Sequence, residues 1–356
     1  MRKIFKDLRV IELASVLAGP AVGLFLAELG AKVIKVENKK TDGDVTRTWR
    51  LPQEDKKAAV SAYYCSVNWN KEVLFLDLSN SQDLKQLYEL VTQADIVLAN
   101  YKKGAAEKLG VDYDTLRAIN NQLIYANLTG FGKDSGRVAF DVVLQAESGF
   151  MYMNGQPESP PTKMPVALID ILAAHQLKEG ILVALIQRMQ TGKGSLVQTS
   201  LLAAAVSSLA NQATNWLMAA HIPQQLGSLH PNIAPYGELF TTQDNQQLVL
   251  AIGNNKQFVA LCECLDLAAL GSDPNYKNNH NRVTNRTALA ASLAPAFATQ
   301  TADILLQKCH ARQVPIGLVR NMKQVFEQEG MQDLILTEDI EGVATKRVKT
   351  VVFEIE

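Results

Sequence analysis

Over residues 1–130, short runs rich in Val, Ile and Leu alternate with stretches of helical periodicity, and this alternation restricts the chain to few architectures. Leu8–Leu13 reads as a strand, Pro20–Leu29 as a helix and Lys32–Glu37 as a strand. Val73–Leu78, Ser81–Thr92 and Asp95–Asn100 repeat that order, and Leu123–Thr129 adds a further strand. Strands separated by helices cannot pair as hairpins, so they must run parallel with helices crossing between them. The expected class is α/β, with a Rossmann-like, doubly wound parallel sheet. Pro20 suits the first turn of its helix, where a missing N–H costs nothing, and Gly30 suits the position just past its end.

A dinucleotide cofactor is the usual ligand of such a sheet. Its fingerprint needs a glycine where the backbone meets the pyrophosphate, and the turn Ala18-Gly19-Pro20-Ala21-Val22-Gly23 does not fill that position. We therefore expect neither a nicotinamide nor a flavin, although backbone groups at that helix start can still hold a ligand. Lys plus Arg number 35 and Asp plus Glu 36, for a net charge of −1 without long runs of either sign. That balance removes the electrostatic basis for bulk binding to nucleic acid or an anionic membrane. No run of apolar residues is long enough to span a bilayer, and the N-terminus lacks a secretory pattern, so a cytoplasmic protein is expected. Cys65, Cys262, Cys264 and Cys309 are too few and too irregular for a disulfide framework, and the Cys262–Cys264 pair reads as helix packing with no metal site.

The remaining sequence divides by composition. Gly149–Pro165 is rich in Gly, Pro, Asn and Ser and reads as a loop delivering the chain to Asp170; a long helix then runs to about Gln190, followed by a strand at Ser195–Ser200. Short strands such as Tyr236–Thr241 and Leu248–Gly253 mark a second, smaller α+β domain. The expected boundaries are 1–209 for the large domain, 210–226 for a linker, 227–320 for the small domain and 321–356 for a shortened segment returning to the large one. Val348–Ile355 alternates like a strand.

Asp170 stands out chemically, because it interrupts the apolar run Val166–Ala174 at a predicted helix start. Neighbouring apolar groups raise the pKa of such an acid, while the helix dipole lowers it. A carboxylate held this way is either a helix N-cap or a poorly solvated nucleophile, and spacing alone does not choose between them.

Leu8-Arg9-Val10-Ile11-Glu12-Leu13-Ala14, Ala18-Gly19-Pro20, Leu29-Gly30-Ala31-Lys32-Val33-Ile34-Lys35-Val36-Glu37, Asn70-Lys71, Asn100-Tyr101, Lys108-Leu109-Gly110, Gly130-Phe131-Gly132, Asp141, Asp170 and Thr191-Gly192-Lys193-Gly194 follow one another in a set order. In that order the chain resembles the class III CoA-transferases (CaiB/BaiF type), relatives of formyl-CoA transferase and carnitine CoA-transferase. The resemblance implies that Asp170 is the nucleophile, attacking an acyl-CoA to form an aspartyl mixed anhydride and then an aspartyl-CoA thioester, from which a second acid leaves as its CoA ester. It implies coenzyme A and acyl-CoA as substrates, with no tightly bound cofactor, and a small carboxylic acid as partner. It places CoA along Val16, Leu17 and Ala18 and near Lys71 and Lys108, with Arg47 and Arg137 as further cations and Glu37 toward the adenosine end. An interlocked homodimer is also implied. Leu17 stands where formyl-CoA transferase has a polar amide, which argues against that enzyme's substrate pair. A 2-methylacyl-CoA racemase of the same fold needs a His before the residue matching Asp141, and Phe140 is there. A CoA-binding protein without turnover is the third reading, opposed by the retained Asp170.

Overall fold

The structure, a computed structural model, describes residues 4–355. From the N-terminus, β1 (Arg9–Glu12) leads through α1 (Ala18–Glu28) to β2 (Lys32–Asn38), and a segment holding the short α2 (Ala62–Cys65) leads to β3 (Lys71–Leu76). The chain continues through α3 (Ser81–Val91) to β4 (Ile96–Ala99), and through α4 (Ala105–Leu109) and α5 (Tyr113–Ile119) to β5 (Ile124–Thr129). Next come α6 (Asp141–Glu147), α7 (Phe150–Met153) and α8 (Leu168–Thr191), then β6 (Leu196–Ser200), α9 (Leu201–Ser207) and α10 (Ala210–Ala219). All neighbouring strands pair in parallel, in the order β3-β2-β1-β4-β5-β6. This is the doubly wound order expected from the alternation, and it reverses direction between β1 and β4.

Period-two alternation divides the sheet's side chains between two cores. Val10, Val33, Ile96, Leu98 and Ile124 pack with Val22 and Leu26 of α1 and with Ile169, Ala173, Leu177 and Ile181 of α8. On the opposite face, Ile11, Val97 and Tyr125 pack with Leu87 and Val91 of α3 and Leu116 of α5. Both faces are covered, which explains why the strands read as nearly continuous apolar runs.

Two compact units are present. The first runs to Met151 and takes up again over Lys163–Pro223 and from Gln332; the second comprises Tyr152–Thr162 and Gln224–Met331. Residues 210–226 are therefore not a linker: α10 occupies most of them and belongs to the first unit. The second unit carries an antiparallel sheet of β7 (Tyr236–Thr241), β8 (Gln247–Ala251) and β9 (Ile316–Leu318), packed with helices around a core that includes Cys262, Cys264 and Cys309. The four cysteines are free and buried.

The first unit closes with a hairpin, β10 (Ile335–Ile340) and β11 (Val343–Val348). Its turn residues Glu341 and Gly342 both have positive φ, at 52° and 78°, the geometry that matches the twist of paired strands. The alternation at Val348–Ile355 does not make a strand. β11 ends at Val348, and the N–H groups of Thr350 and Val351 donate to the Glu28 carboxylate on α1 instead of to a neighbouring strand.

Candidate active site

The reversal of strand order leaves a crevice beyond the C-terminal ends of β1 and β4, the usual ligand position in open α/β sheets. A cavity of about 220 Å³ occupies it, lined by Ser15–Ala18 after β1, Asn100–Lys102 after β4, Thr129 and Gly130 at the end of β5, Ser135 and Arg137–Phe140, and Asp170. Five sequence candidates, Val16, Leu17, Ala18, Arg137 and Asp170, thus meet at one place.

Asp170 is the third residue of α8 and only 8% exposed. It does not cap its own helix. That role belongs to Asp141 on α6, whose Oδ1 accepts from the N–H of Ile169 (2.7 Å) and of Asp170 (3.3 Å). Gln145, one turn along α6, donates to the other Asp141 oxygen and also accepts from the Met164 N–H, tying the incoming loop to the same helix. The Asp170 carboxylate itself accepts no hydrogen bond from any described residue. Burial, and secondarily the Asp141 charge, push its pKa up to about 7. Tyr63 lies within electrostatic reach of both carboxylates; burial first, then Asp170, lifts its phenol to about 12.

The turn over the cavity is held under strain. Val16 is β-branched yet sits at φ 71°, a region costing roughly 1–3 kcal/mol for such a residue. Two side chains hold it there. Asp44 Oδ2 accepts the Val16 N–H at 3.1 Å, and Asn100 brackets Ser15, accepting from its N–H (3.1 Å) and donating to its carbonyl (2.9 Å). Asp44 is in turn fixed by Lys35, whose ammonium lies 3.1 Å from it and also donates to Glu12 and to the Ala14 carbonyl. Burial opposes ionisation of Asp44, but Lys35 and the Thr46 donors outweigh it and its pKa falls below the ordinary range.

Lys71 belongs to this network, which corrects its expected role as a cation for CoA. Its Nζ donates to both Glu12 oxygens (3.0 and 2.7 Å), to the Pro20 carbonyl and to Asn68 Oδ1, so no proton is left for a phosphate. Burial pushes its pKa down to about 8 despite Glu12. Gly23 is small for the same reason, since a Cβ there would collide with the Glu12 carboxylate. Gly19, the other glycine of α1, is small because a Cβ there would collide with the Ala14 side chain.

Arg47 and Glu37 are likewise consumed internally. Arg47 Nε lies 2.6 Å from Glu37, which also accepts from the Tyr64 hydroxyl and the Asp44 N–H, and the guanidinium pairs further with Glu341 of the C-terminal hairpin. Lys108 is exposed on α4 and does not line the Asp170 cavity. The cations that do line it are Lys102 and Arg137, the latter 3.7 Å over the Phe131 ring and paired with exposed Glu147. Tyr101, Lys102 and Thr129 also border an adjoining cavity of about 390 Å³, where Lys103 and Lys133 stand among Glu107, Asp112, Asp114 and Asp134. Sequence reasoning assigns no role to Asn100, Lys102 or Asp44; the position of Asn100–Lys102 directly after β4, at the strand-order reversal, is the signal that points to them.

Comparison with known proteins agrees with this geometry. The sequence profile of CoA-transferase family III matches residues 5–356. The chain is 37% identical over 341 residues to a succinate–glutarate CoA-transferase of Agrobacterium fabrum, covering 94% of this chain and 84% of that one. It is 34% identical to the human succinyl-CoA:glutarate CoA-transferase over 92% of this chain and 74% of the relative. A crystal structure of a CaiB/BaiF family protein from Brucella suis superposes with a TM-score of 0.87 at 35% identity, covering 99% of this chain and 93% of that one. A buried aspartate at a strand-order reversal, in a chain matched along its length by that profile, leaves one assignment: the protein belongs to CoA-transferase family III, enzymes that move CoA between an acyl-CoA and a carboxylic acid.

Proposed function

We propose that Asp170 carries the transfer as a covalent nucleophile. The observation behind this reading is a carboxylate that is buried, accepts no hydrogen bond from a described residue and borders the cavity beneath Val16–Ala18. A carboxylate with so little stabilisation has more to gain by forming a bond than one solvated at the surface. In the first step an Asp170 oxygen attacks the thioester carbonyl, the C–S bond breaks and CoA departs as thiolate, leaving an aspartyl mixed anhydride. The thiolate then attacks the aspartyl carbonyl, expelling the donor acid as carboxylate and leaving an aspartyl-CoA thioester. The acceptor carboxylate repeats both steps in reverse and leaves as its CoA ester. Each step exchanges one activated acyl bond for another, so no ATP is required and water must be excluded. The amides opening α1, unpaired within the helix, are suited to the oxyanion.

Lys102 takes the place of Lys71 as the cation toward CoA, since it borders both cavities; Lys108, exposed on α4, borders neither. The relatives' names carry succinate and glutarate, and a short dicarboxylic acid suits a cavity with Arg137 at its wall: one carboxylate reacts at Asp170 while the other meets the guanidinium. The exposed Glu147 pair is weak enough to yield Arg137 to a substrate. Racemisation is disfavoured because Phe140 borders the cavity where a second base is needed. We place the enzyme in the cytoplasm as a homodimer whose chains interlock. Free buried thiols suit a reducing compartment, and the exposed Val183, Ile186 and Met189 of α8 with Trp216, Leu217 and Met218 of α10 suit a subunit interface.

Incubation with succinyl-CoA and isotopically labelled glutarate, read by the mass of the CoA esters, tests the reading. Asp170→Ala should abolish exchange while retaining CoA binding; undiminished exchange in that variant would overturn it.

A further inference from the structure

A third cavity, of about 460 Å³, lies in the first unit, bordered by one residue of the Asp170 cavity, Leu17, but not by Asp170 itself. Its floor is apolar, formed by Leu24 of α1, Val67, and Ile171 and Ala174 of α8. Its polar lining is basic: Lys178 and His175 from α8, and Lys346 and Arg347 from β11, with no Asp or Glu among the lining residues.

Two of these cations are left incompletely matched. Lys178 is half-buried with its ammonium 5.3 Å from the Phe25 ring centroid, and no described carboxylate lies within ion-pairing distance. The nearby Glu28 does not supply one, since its oxygens accept from Arg347 and from the N–H groups of Thr350 and Val351. Arg347 is 7% exposed, and its Nε is buried without an acceptor. A buried donor without a partner is uncommon in a folded protein and costs stability unless something fills the gap. His175 and Lys178 are also close enough that burial and the Lys178 charge together push the imidazole pKa down.

An apolar floor selects against a bare inorganic anion, and basic walls select against a neutral hydrocarbon. We propose that this cavity is a separate binding site for a small aliphatic carboxylate, its head group held by Lys178 and Arg347 and its hydrocarbon body laid against Leu24, Val67, Ile171 and Ala174. The site needs no assumption about the transfer chemistry at Asp170.

The test is calorimetric titration of the full chain with hexanoate, in the wild type and in Asp170→Ala, where turnover cannot intervene. Saturable binding, one hexanoate per chain, is expected in both. Lys178→Met should weaken it roughly tenfold or more, the loss of a charge-assisted contact. Ser66→Trp, from an exposed position at the cavity wall, should block it even if Lys178→Met does not fold. Acetate, lacking four methylenes, should bind at least roughly tenfold more weakly. The proposal is overturned if hexanoate does not bind saturably, if free CoA displaces it, if acetate or inorganic phosphate binds as tightly, or if both cavity variants bind hexanoate like the wild type.

Discussion

Asp170 and Asp141 divide between them two tasks that a single aspartate at a helix start could perform. Asp141 caps α8 and Asp170 borders the cavity, so the apolar run surrounds a carboxylate that is not the cap of its own helix. This division has a consequence for stability. The Asp170 pKa is raised from 3.8 to about 7 by folding, so the folded state binds its proton more tightly than the unfolded chain. The resulting cost is absent below about pH 4, grows as pH rises and is complete above about pH 7. Asp170→Asn should flatten that part of the pH–stability curve, gaining on the order of a few kcal/mol at pH 8 by denaturant titration. Asp141→Asn keeps an oxygen to accept the Ile169 N–H while removing the like charge. The pH midpoint of single-turnover acyl transfer should therefore fall below that of the wild type, with the melting temperature little changed. Asp170 stands out in the sequence because one charge in an apolar run is conspicuous, whereas its proposed role as nucleophile comes from the family resemblance alone. Asp141 as its cap was not legible there, because the two lie 29 positions apart and meet only through folding.

At the scale of elements, the turn from β1 to α1 depends on charge buried beneath it. Glu12, Lys35, Asp44 and Lys71 come from four separate segments, and each is paired within the network. Lys71→Met removes one of two buried cations facing Glu12 and Asp44 and should destabilise the fold by about 3–5 kcal/mol, the cost of one uncompensated buried negative charge. Lys102→Ala should instead raise KM for acyl-CoA with stability unchanged. The opposite pattern, a stable Lys71→Met with weakened CoA affinity, would return Lys71 to the binding site. Strand order and helix placement follow from hydrophobic period, and so were readable. Whether a given lysine is buried depends on what packs against it, so a family motif containing Asn70-Lys71 cannot separate a ligand contact from a structural pair. The segment 348–355 failed as a strand for a related reason: alternation records which side faces inward, not whether a partner strand exists.

The first unit is discontinuous in sequence, its final residues returning to dock on α1 and α2, and most of the second unit is inserted between Pro223 and Gln332. Composition made two domains readable, and the return of the chain to the first followed from the same shift. The exact limits did not, because Tyr152–Thr162 join the second unit through contacts that local composition does not encode. The exposed apolar residues of α8 and α10 predict a dimer in sedimentation velocity at micromolar concentration, and a monomer there would contradict the subunit arrangement proposed above. The proposed transfer requires a covalent bond to Asp170. Hydroxylamine added to enzyme turning over succinyl-CoA, followed by peptide mass spectrometry, should convert Asp170 to its hydroxamate, and only when acyl-CoA is present. A hydroxamate on another residue, or none at all while exchange proceeds, would contradict it.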